Sequence, residues 1–360
     1  MSKPFLKSLE RRFKRLLKHF LLHILPHSRP EQPHLSEIRK IMVFRLDQRI
    51  GNGILLLPLL RAIRTSFPES EIHFLIHFPI AELYRETSVE LVDRIWPYNQ
   101  PVLMKRPWRY ITLLRKLRRE QFDIVITSHN PDNFSLSQAI FGRLCKPRWL
   151  VGFNWQDNAR FYDIAVTSHT GKHYSEAMVD LWRAINPQAE CRYGGLQVPQ
   201  EVRDKVAGEH PQFAGGGVLI WLGATGNKIL PGDVFAFLYE QIRKESDLAV
   251  HFAAGPADEP HLRNYPEWIR ERTIIWKAPL LESAAFFSLF ALFVSGDTGP
   301  MHLAVALNRP TLTIFIDSNM KQYGYNDAEK HYSLFWQDTP EGRRMVNEAL
   351  KQLLSRKDEG

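Results

Sequence analysis

The chain has 360 residues, 44% hydrophobic and 24% charged, with a formal net charge of +8 at pH 7. This is ordinary globular composition at a length that favours two domains, and it excludes an intrinsically disordered or fibrous chain. Two cysteines, Cys145 and Cys191, with no C-x-x-C, rule out a disulfide framework and fit a reducing cytoplasm. No run of about 18 apolar residues is present to span a membrane.

Residues 1–25 hold Lys3, Lys7, Arg11, Arg12, Lys14, Arg15 and Lys18 against Glu10 alone. Leu6, Leu9, Phe13, Leu16, Leu17, Phe20 and Ile24 recur among them at helical spacing, which predicts a basic amphipathic helix lying on an anionic membrane surface. Packing on the protein's own surface and a nucleic-acid arm are the alternatives; a near-neutral remainder disfavours the arm, so no nucleic-acid partner is expected. The charges run through the apolar positions, unlike a secretory signal. Residues 26–33, with three prolines, read as a linker.

From Ile41 short β-rich runs alternate with helical ones. Strands are predicted at 41–46, 71–77, 122–127 and 148–153, with helices at 54–66, 80–87, 107–120 and 134–145. After a helix at 173–185 the pattern loosens through Asn186 to His210, and two halves would join near residues 187–212. The alternation restarts with strands at 217–222, 248–253, 291–295 and 311–316 and helices at 231–244, 282–290 and 300–307. Strands alternating with helices predict parallel sheets covered on both faces. A last helix is predicted at 340–355.

The most informative segment is 294–315, VSGDTGPMHLAVALNRPTLTIF. Its loop, with Asp297, Thr298 and Gly299, follows a strand and precedes a helix that Pro300 suits at its first turn. Free N–H groups there, with the helix dipole, suit a phosphate or pyrophosphate, and His302 can face the same ligand. A capped helix in an ordinary βαβ unit is the other reading of these residues alone.

D-T-G-x-x-H followed by Ala304, Ala306, Leu307 and Pro310 resembles the nucleotide-binding signature of the bacterial lipopolysaccharide heptosyltransferases, glycosyltransferase family 9. The resemblance covers about residues 41–335 and implies an α/β chain of GT-B fold, two Rossmann-like domains facing a central cleft. The expected division is 1–35 (basic helix and linker), 36–195 (acceptor side), 196–335 (nucleotide-sugar side) and 336–360, a helix packing back toward the N-terminal domain.

The resemblance also assigns residues. The opening, Phe44 to Gly53 and then ILLLPLLRAIR, is similar to the family's first strand, turn and helix. The family's catalytic aspartate falls here on Asn52, which cannot take a proton. Asn52 could still orient the acceptor or cap the helix; the nearest carboxylate is Asp47, with His129 a further candidate base. Thr225 and Lys228, before Pro231, match the loop that contacts the donor's phosphates, where a cation would stabilise the departing diphosphate. Glu259, with Asp258 as its competitor, matches the acid near the ribose. His173-x-x-Glu176 is a weaker match.

The implied activity is inverting, metal-independent transfer of a heptose from ADP-heptose to a lipid-linked lipopolysaccharide core sugar at the cytoplasmic face of the inner membrane. The expected donor-site set is Thr225, Lys228, Glu259, Asp297, Thr298, Gly299 and His302, with Asp47, Asn52 and Lys228 as the catalytic set, no metal site and no cofactor beyond the donor. Another donor or acceptor, or an inactive member acting as a binding protein, stays open because of Asn52. The sequence has no D-x-D, P-loop, H-E-x-x-H or G-x-S-x-G motif, which argues against those chemistries.

Overall fold

The computed structural model describes residues 33–355, except 89, 100–102, 104, 157, 168–170, 318 and 328, together with Leu16, Lys18 and Phe20. Those three are helical, with Leu16 and Phe20 exposed. The rest of the basic helix expected over 1–25 lies outside the described residues.

In chain order the first elements are β1 (Lys40–Phe44), α1 (Ile50–Ile54), α2 (Leu57–Ser66), β2 (Glu71–His77), α3 (Phe78–Thr87) and β3 (Arg94–Tyr98). There follow α4 (Pro107–Arg119), β4 (Ile124–Thr127), α5 (Leu136–Leu144), β5 (Trp149–Asn154), β6 (Ile164–Thr167) and α6 (Tyr174–Arg183). The later elements begin with α7 (Gln200–Glu209), β7 (Val218–Trp221), α8 (Gly232–Glu245), β8 (Val250–Ala254), α9 (Glu267–Arg272) and β9 (Thr273–Ile275). They end with α10 (Leu280–Ser288), β10 (Leu292–Gly296), α11 (Gly299–Ala306), β11 (Thr311–Phe315), α12 (Met320–Tyr323), β12 (His331–Phe335) and α13 (Pro340–Leu354).

Two six-stranded sheets result, both wholly parallel. The first runs β3-β2-β1-β4-β5-β6 and the second β12-β11-β10-β7-β8-β9. Renumbered from its own first strand, the second has the same order as the first. This is the doubly wound nucleotide-binding order, whose reversal point lies between β1 and β4 in one sheet and between β7 and β10 in the other. Ile41 pairs with both Ile72 and Ile124, so β1 is interior, and Ile41 to Phe44 are all buried. A continuous apolar run is what a strand covered on both faces requires.

The chain separates into two compact units. The first comprises residues up to Gln48, Pro58–Ala81 and Glu90–Arg192, and the second Arg49–Leu57, Glu82–Val89 and Tyr193 onward. The sequence suggested a single crossing near 195. Two short excursions, one of them α1, instead belong to the second unit because they pack there. α1 lies on α11, and the Tyr84 hydroxyl donates to the Gly53 carbonyl at 3.0 Å.

The core of the first unit includes Met42, Phe44, Leu75, Val125, Phe141 and Leu150. In the second, Val218, Ile220, Phe252, Val294 and Leu312 meet Leu238 of α8. Val346, Ala349, Leu350 and Leu353 of α13, the last helix, enter the core of the second unit. Their spacing of three and four residues makes one stripe, and that stripe meets α8 and β11. Thr339 caps α13 by accepting from the Gly342 N–H at 3.1 Å, with Pro340 in the first turn.

Candidate active site

The second unit carries all seven expected donor residues, most of them gathered where its sheet order reverses. β7 is followed by a 3-10 turn, Gly226–Lys228, and β10 by Asp297 and then α11. β7 and β10 are neighbours, so the loops at their carboxyl ends emerge side by side. The Lys228 ammonium lies 2.6 Å from Asp297 Oδ2. Asp297 is 5% exposed and Lys228 35%. A carboxylate so buried requires a charge partner, and a lysine partly open to solvent can supply one while keeping N–H donors for a ligand. The Tyr323 ring, at the end of α12, lies 5.5 Å from the ammonium and adds a cation–π contact.

α11 begins at Gly299 with Thr298 as its N-cap residue, and no side chain caps it there. Pro300 gives up no hydrogen bond at that position. His302 is buried, its Nδ1 2.9 Å from the Tyr325 hydroxyl. Burial pushes its pKa down to about 4, opposed by the Asp297 carboxylate and reinforced by Lys228. The imidazole is therefore neutral at pH 7. In the tautomer whose Nδ1 accepts from Tyr325, Nε2–H is a donor.

α1 closes this group from another part of the chain. A Cβ on Gly51 would lie 3.0 Å from His302 Cδ2 and 3.5 Å from the Gly299 Cα. A methyl at Gly51 would press on the His302 ring, while its contact with the Gly299 backbone would be ordinary. Half-buried Asn52 follows directly, so the residue standing where the family has its aspartate belongs to the same unit as the donor residues.

The next loop gives its two neighbouring acids different surroundings. Asp258 Oδ2 accepts from the Gly255 N–H at 3.0 Å, and its carboxylate also takes the Ala224 N–H. It therefore ties the loop after β8 to the loop after β7, and burial raises its pKa despite those bonds. A Cβ on Gly223 would fall 2.1 Å from the same oxygen, so that position has room only for hydrogen. Asp258 is structural. Glu259 opens a 3-10 turn and is exposed, as is Thr225 in the loop after β7.

The first unit holds Asp47 and His129, both just beyond the β1/β4 reversal point. Arg45 is buried; its Nε donates to Asp47 Oδ2 at 2.5 Å, and its Nη1 donates to the Ser128 carbonyl at 2.7 Å and the Tyr174 hydroxyl at 2.6 Å. One guanidinium thus joins the ends of β1 and β4 to the start of α6. Asp47 keeps 29% of its side chain exposed. His129 lies 3.0 Å from both Asn133 Oδ1 and Gln138 Nε2, and burial lowers its pKa. His173 of the weaker match caps α6 through the Ser175 N–H, and Glu176 pairs with Arg183.

Among the described residues one group, Glu71, His73 and Glu120, brings possible metal ligands together. Lys40 already stands there, 2.9 Å from Glu71 and 3.1 Å from Glu120, and Trp96 donates to His73 Nδ1. Arg94 lies 2.7 Å from Glu120 as well, so two cations face the two carboxylates.

Sequence reasoning missed Arg45, Tyr174, Tyr323 and Tyr325. Arg45 had a signal, as a charge at the end of an apolar strand. The tyrosines had none, because what gives them a role is proximity across the fold.

A family model described as glycosyltransferase family 9 (heptosyltransferase) matches residues 110–351. The chain belongs to that family. Solved structures agree on the fold. A family 9 glycosyltransferase from Veillonella parvula superposes with a TM-score of 0.67 at 17% identity, covering 88% of this chain and 97% of that one. E. coli ADP-heptose LPS heptosyltransferase II gives 0.65 at 16%, covering 88% and 98%. E. coli heptosyltransferase WaaC with ADP gives 0.61 at 17%, covering 87% and 98%. No protein of curated function matches the sequence. This family 9 glycosyltransferase thus has the GT-B fold, and among its described residues no helix is long and apolar enough to cross a membrane.

Proposed function

We propose that this glycosyltransferase moves a heptose from ADP-heptose to a lipopolysaccharide core sugar, with inversion and without a metal ion. The observation that carries the donor reading is the Lys228–Asp297 pair at 2.6 Å beside the uncapped start of α11. A diphosphate meets there an ammonium, a row of backbone N–H groups and the dipole of the helix, which together can hold two negative charges. Relatives that have been solved with ADP or an ADP-heptose analogue support adenine as the base and heptose as the sugar.

In the reaction the acceptor hydroxyl oxygen forms a bond to the anomeric carbon from the face opposite the diphosphate. The bond from that carbon to the phosphate oxygen breaks, its electrons stay on ADP, and the hydroxyl proton passes to a base. Lys228 and the α11 N–H groups stabilise the charge growing on ADP. Thr225, Thr298 and Gly299 add donors to the phosphates, His302 packs against Gly51 at the same end of α11, and Glu259 takes the ribose. Asn52 orients the acceptor and cannot take the proton, so Asp47 is assigned that task, ahead of His129. The acceptor is lipid-linked, and residues 1–25 attach the enzyme to the anionic cytoplasmic face of the inner membrane.

Thermal shift with ADP, UDP and GDP compounds tests the donor. ADP is expected to raise the melting temperature without magnesium, since a ligand bound only by the native state stabilises it by mass action. No shift with any nucleotide at millimolar concentration would remove the donor site. A preference for UDP would leave the site and change the substrate. The second reading rests on Asn52: should Asn52→Asp switch on transfer in an otherwise silent protein, the natural chain is a binding protein.

A further inference from the structure

The helix α4 buries one face and leaves an unusual opposite one. Tyr110, Leu113, Leu114 and Leu117, at steps of three, one and three, pack on the core of the first unit. The opposite stripe is Trp108, Ile111, Arg115 and Arg119, flanked by Arg109 and Lys116, and all six are exposed. Trp108 is 61% exposed and Ile111 49%. A helix that packs by one face needs only polar residues on the other.

The charge on this helix is equally one-sided. Residues 103–119 contain seven basic residues and no acid, while the chain outside 1–25 and 103–119 is net negative. Among the described residues, none of Arg109, Arg115, Lys116 and Arg119 has a carboxylate within ion-pair distance. Some helical cations elsewhere do have such partners. On α13, Arg343 lies 2.8 Å from Asp338 and Arg344 2.7 Å from Glu341. α4 is thus left cationic on a chain whose remainder outside residues 1–25 is net negative.

We propose that the outer face of α4 docks on an anionic phospholipid bilayer. Trp108 and Ile111 enter the boundary between headgroups and acyl chains, where an indole is favoured, and the flanking arginines and Lys116 face lipid phosphates. An acidic protein or a nucleic acid would match the charge, but neither accounts for an exposed tryptophan and isoleucine in the same stripe as the cations. The surface belongs to the first unit and the expected donor residues to the second, so the proposal does not depend on which nucleotide sugar is used.

The test is co-sedimentation of the full chain with vesicles of phosphatidylcholine alone or mixed with phosphatidylglycerol. Three double variants are compared: Trp108→Ala with Ile111→Ala, Arg115→Glu with Arg119→Glu, and, as a control of equal charge change, Arg343→Glu with Arg344→Glu. Circular dichroism and melting temperature monitor the fold. Wild type is expected to bind the mixed vesicles only, and the α4 charge reversal to lower partitioning roughly 30-fold or more, at about 1 kcal/mol per basic residue. The control is expected to change it far less. Brominated lipid should quench tryptophan fluorescence in the wild type, and part of that quenching should vanish in Trp108→Phe. Wild-type binding by both α4 doubles, equal binding to phosphatidylcholine alone, or quenching unchanged in Trp108→Phe would each overturn the proposal.

Discussion

The Lys228 ammonium and the Asp297 carboxylate are 2.6 Å apart, although 69 residues separate them in the chain. Each comes from the loop after a central strand of the second sheet, so their meeting is a direct product of strand order. The pair holds the lysine beside the start of α11, and in the proposed transfer such pre-positioning is worth more than a mobile cation would be.

Replacing that lysine should therefore cost rate more than fold. Lys228→Ala is expected to lower turnover by about 100-fold or more, measured with saturating donor. Asp297→Asn, which keeps the shape and removes the charge, should slow turnover less than Lys228→Ala does. An unchanged rate in purified Lys228→Ala would detach the residue from the reaction.

The contact between Gly223 and Asp258 predicts a loss of donor affinity with the chemistry left intact. In Gly223→Ala the new methyl would meet the Asp258 carboxylate, so the tie between the two loops must break. ADP affinity, read by thermal shift or calorimetry, is expected to fall about tenfold or more, as loss of a charge-assisted hydrogen bond implies. Gly208→Ala serves as control, because nothing lies within 4 Å of a Cβ built there.

Assignment of the base rests on Asp47. Asp47→Asn is expected to reduce turnover about 100–10,000-fold with donor affinity unchanged, since Asp47 belongs to the first unit and the donor residues to the second. His129→Ala is expected to cost less. A larger loss in His129→Ala would reverse the assignment.

Stability should fall with acid through two buried histidines. Burial holds His302 and His331 near pKa 4, below the ordinary histidine value. The unfolded chain then takes up protons first, so the native state loses stability as pH drops from about 6.5 to about 4. The upper bound is about 3 kcal/mol from each residue. His331 Nδ1 lies 2.9 Å from the Thr311 hydroxyl, a contact that Asn can imitate, so His331→Asn should flatten the acid limb of a denaturation series. An acid limb as steep as the wild type's would count against it.

The sequence was most legible where burial is continuous. All eight strands expected from apolar runs form, and each lies inside its sheet. The four that escaped notice, β3, β6, β9 and β12, are the four edges. An edge strand needs less apolar coverage and tolerates residues such as Pro97, so its pattern fades into that of a loop. Of the site, the DTGPMH loop and Lys228 were readable because strand–loop–helix chemistry is local. The excursion of α1 into the second unit, and the docking of α13 there, depend on partners far away in sequence and left no local mark.

The Gly51 approach to His302 has a practical consequence for dissecting this enzyme. A fragment starting at Tyr193 would carry Lys228, Asp297 and His302 yet lack residues 49–57 and 82–89. It would leave bare the part of α11 that α1 covers and lose the tether from Tyr84 to Gly53. Exchanging nucleotide-binding halves between relatives at one splice point would therefore make hybrids with mismatched seams. A chimera that also transplants both excursions is the one whose donor preference can be read as a property of the transplanted half.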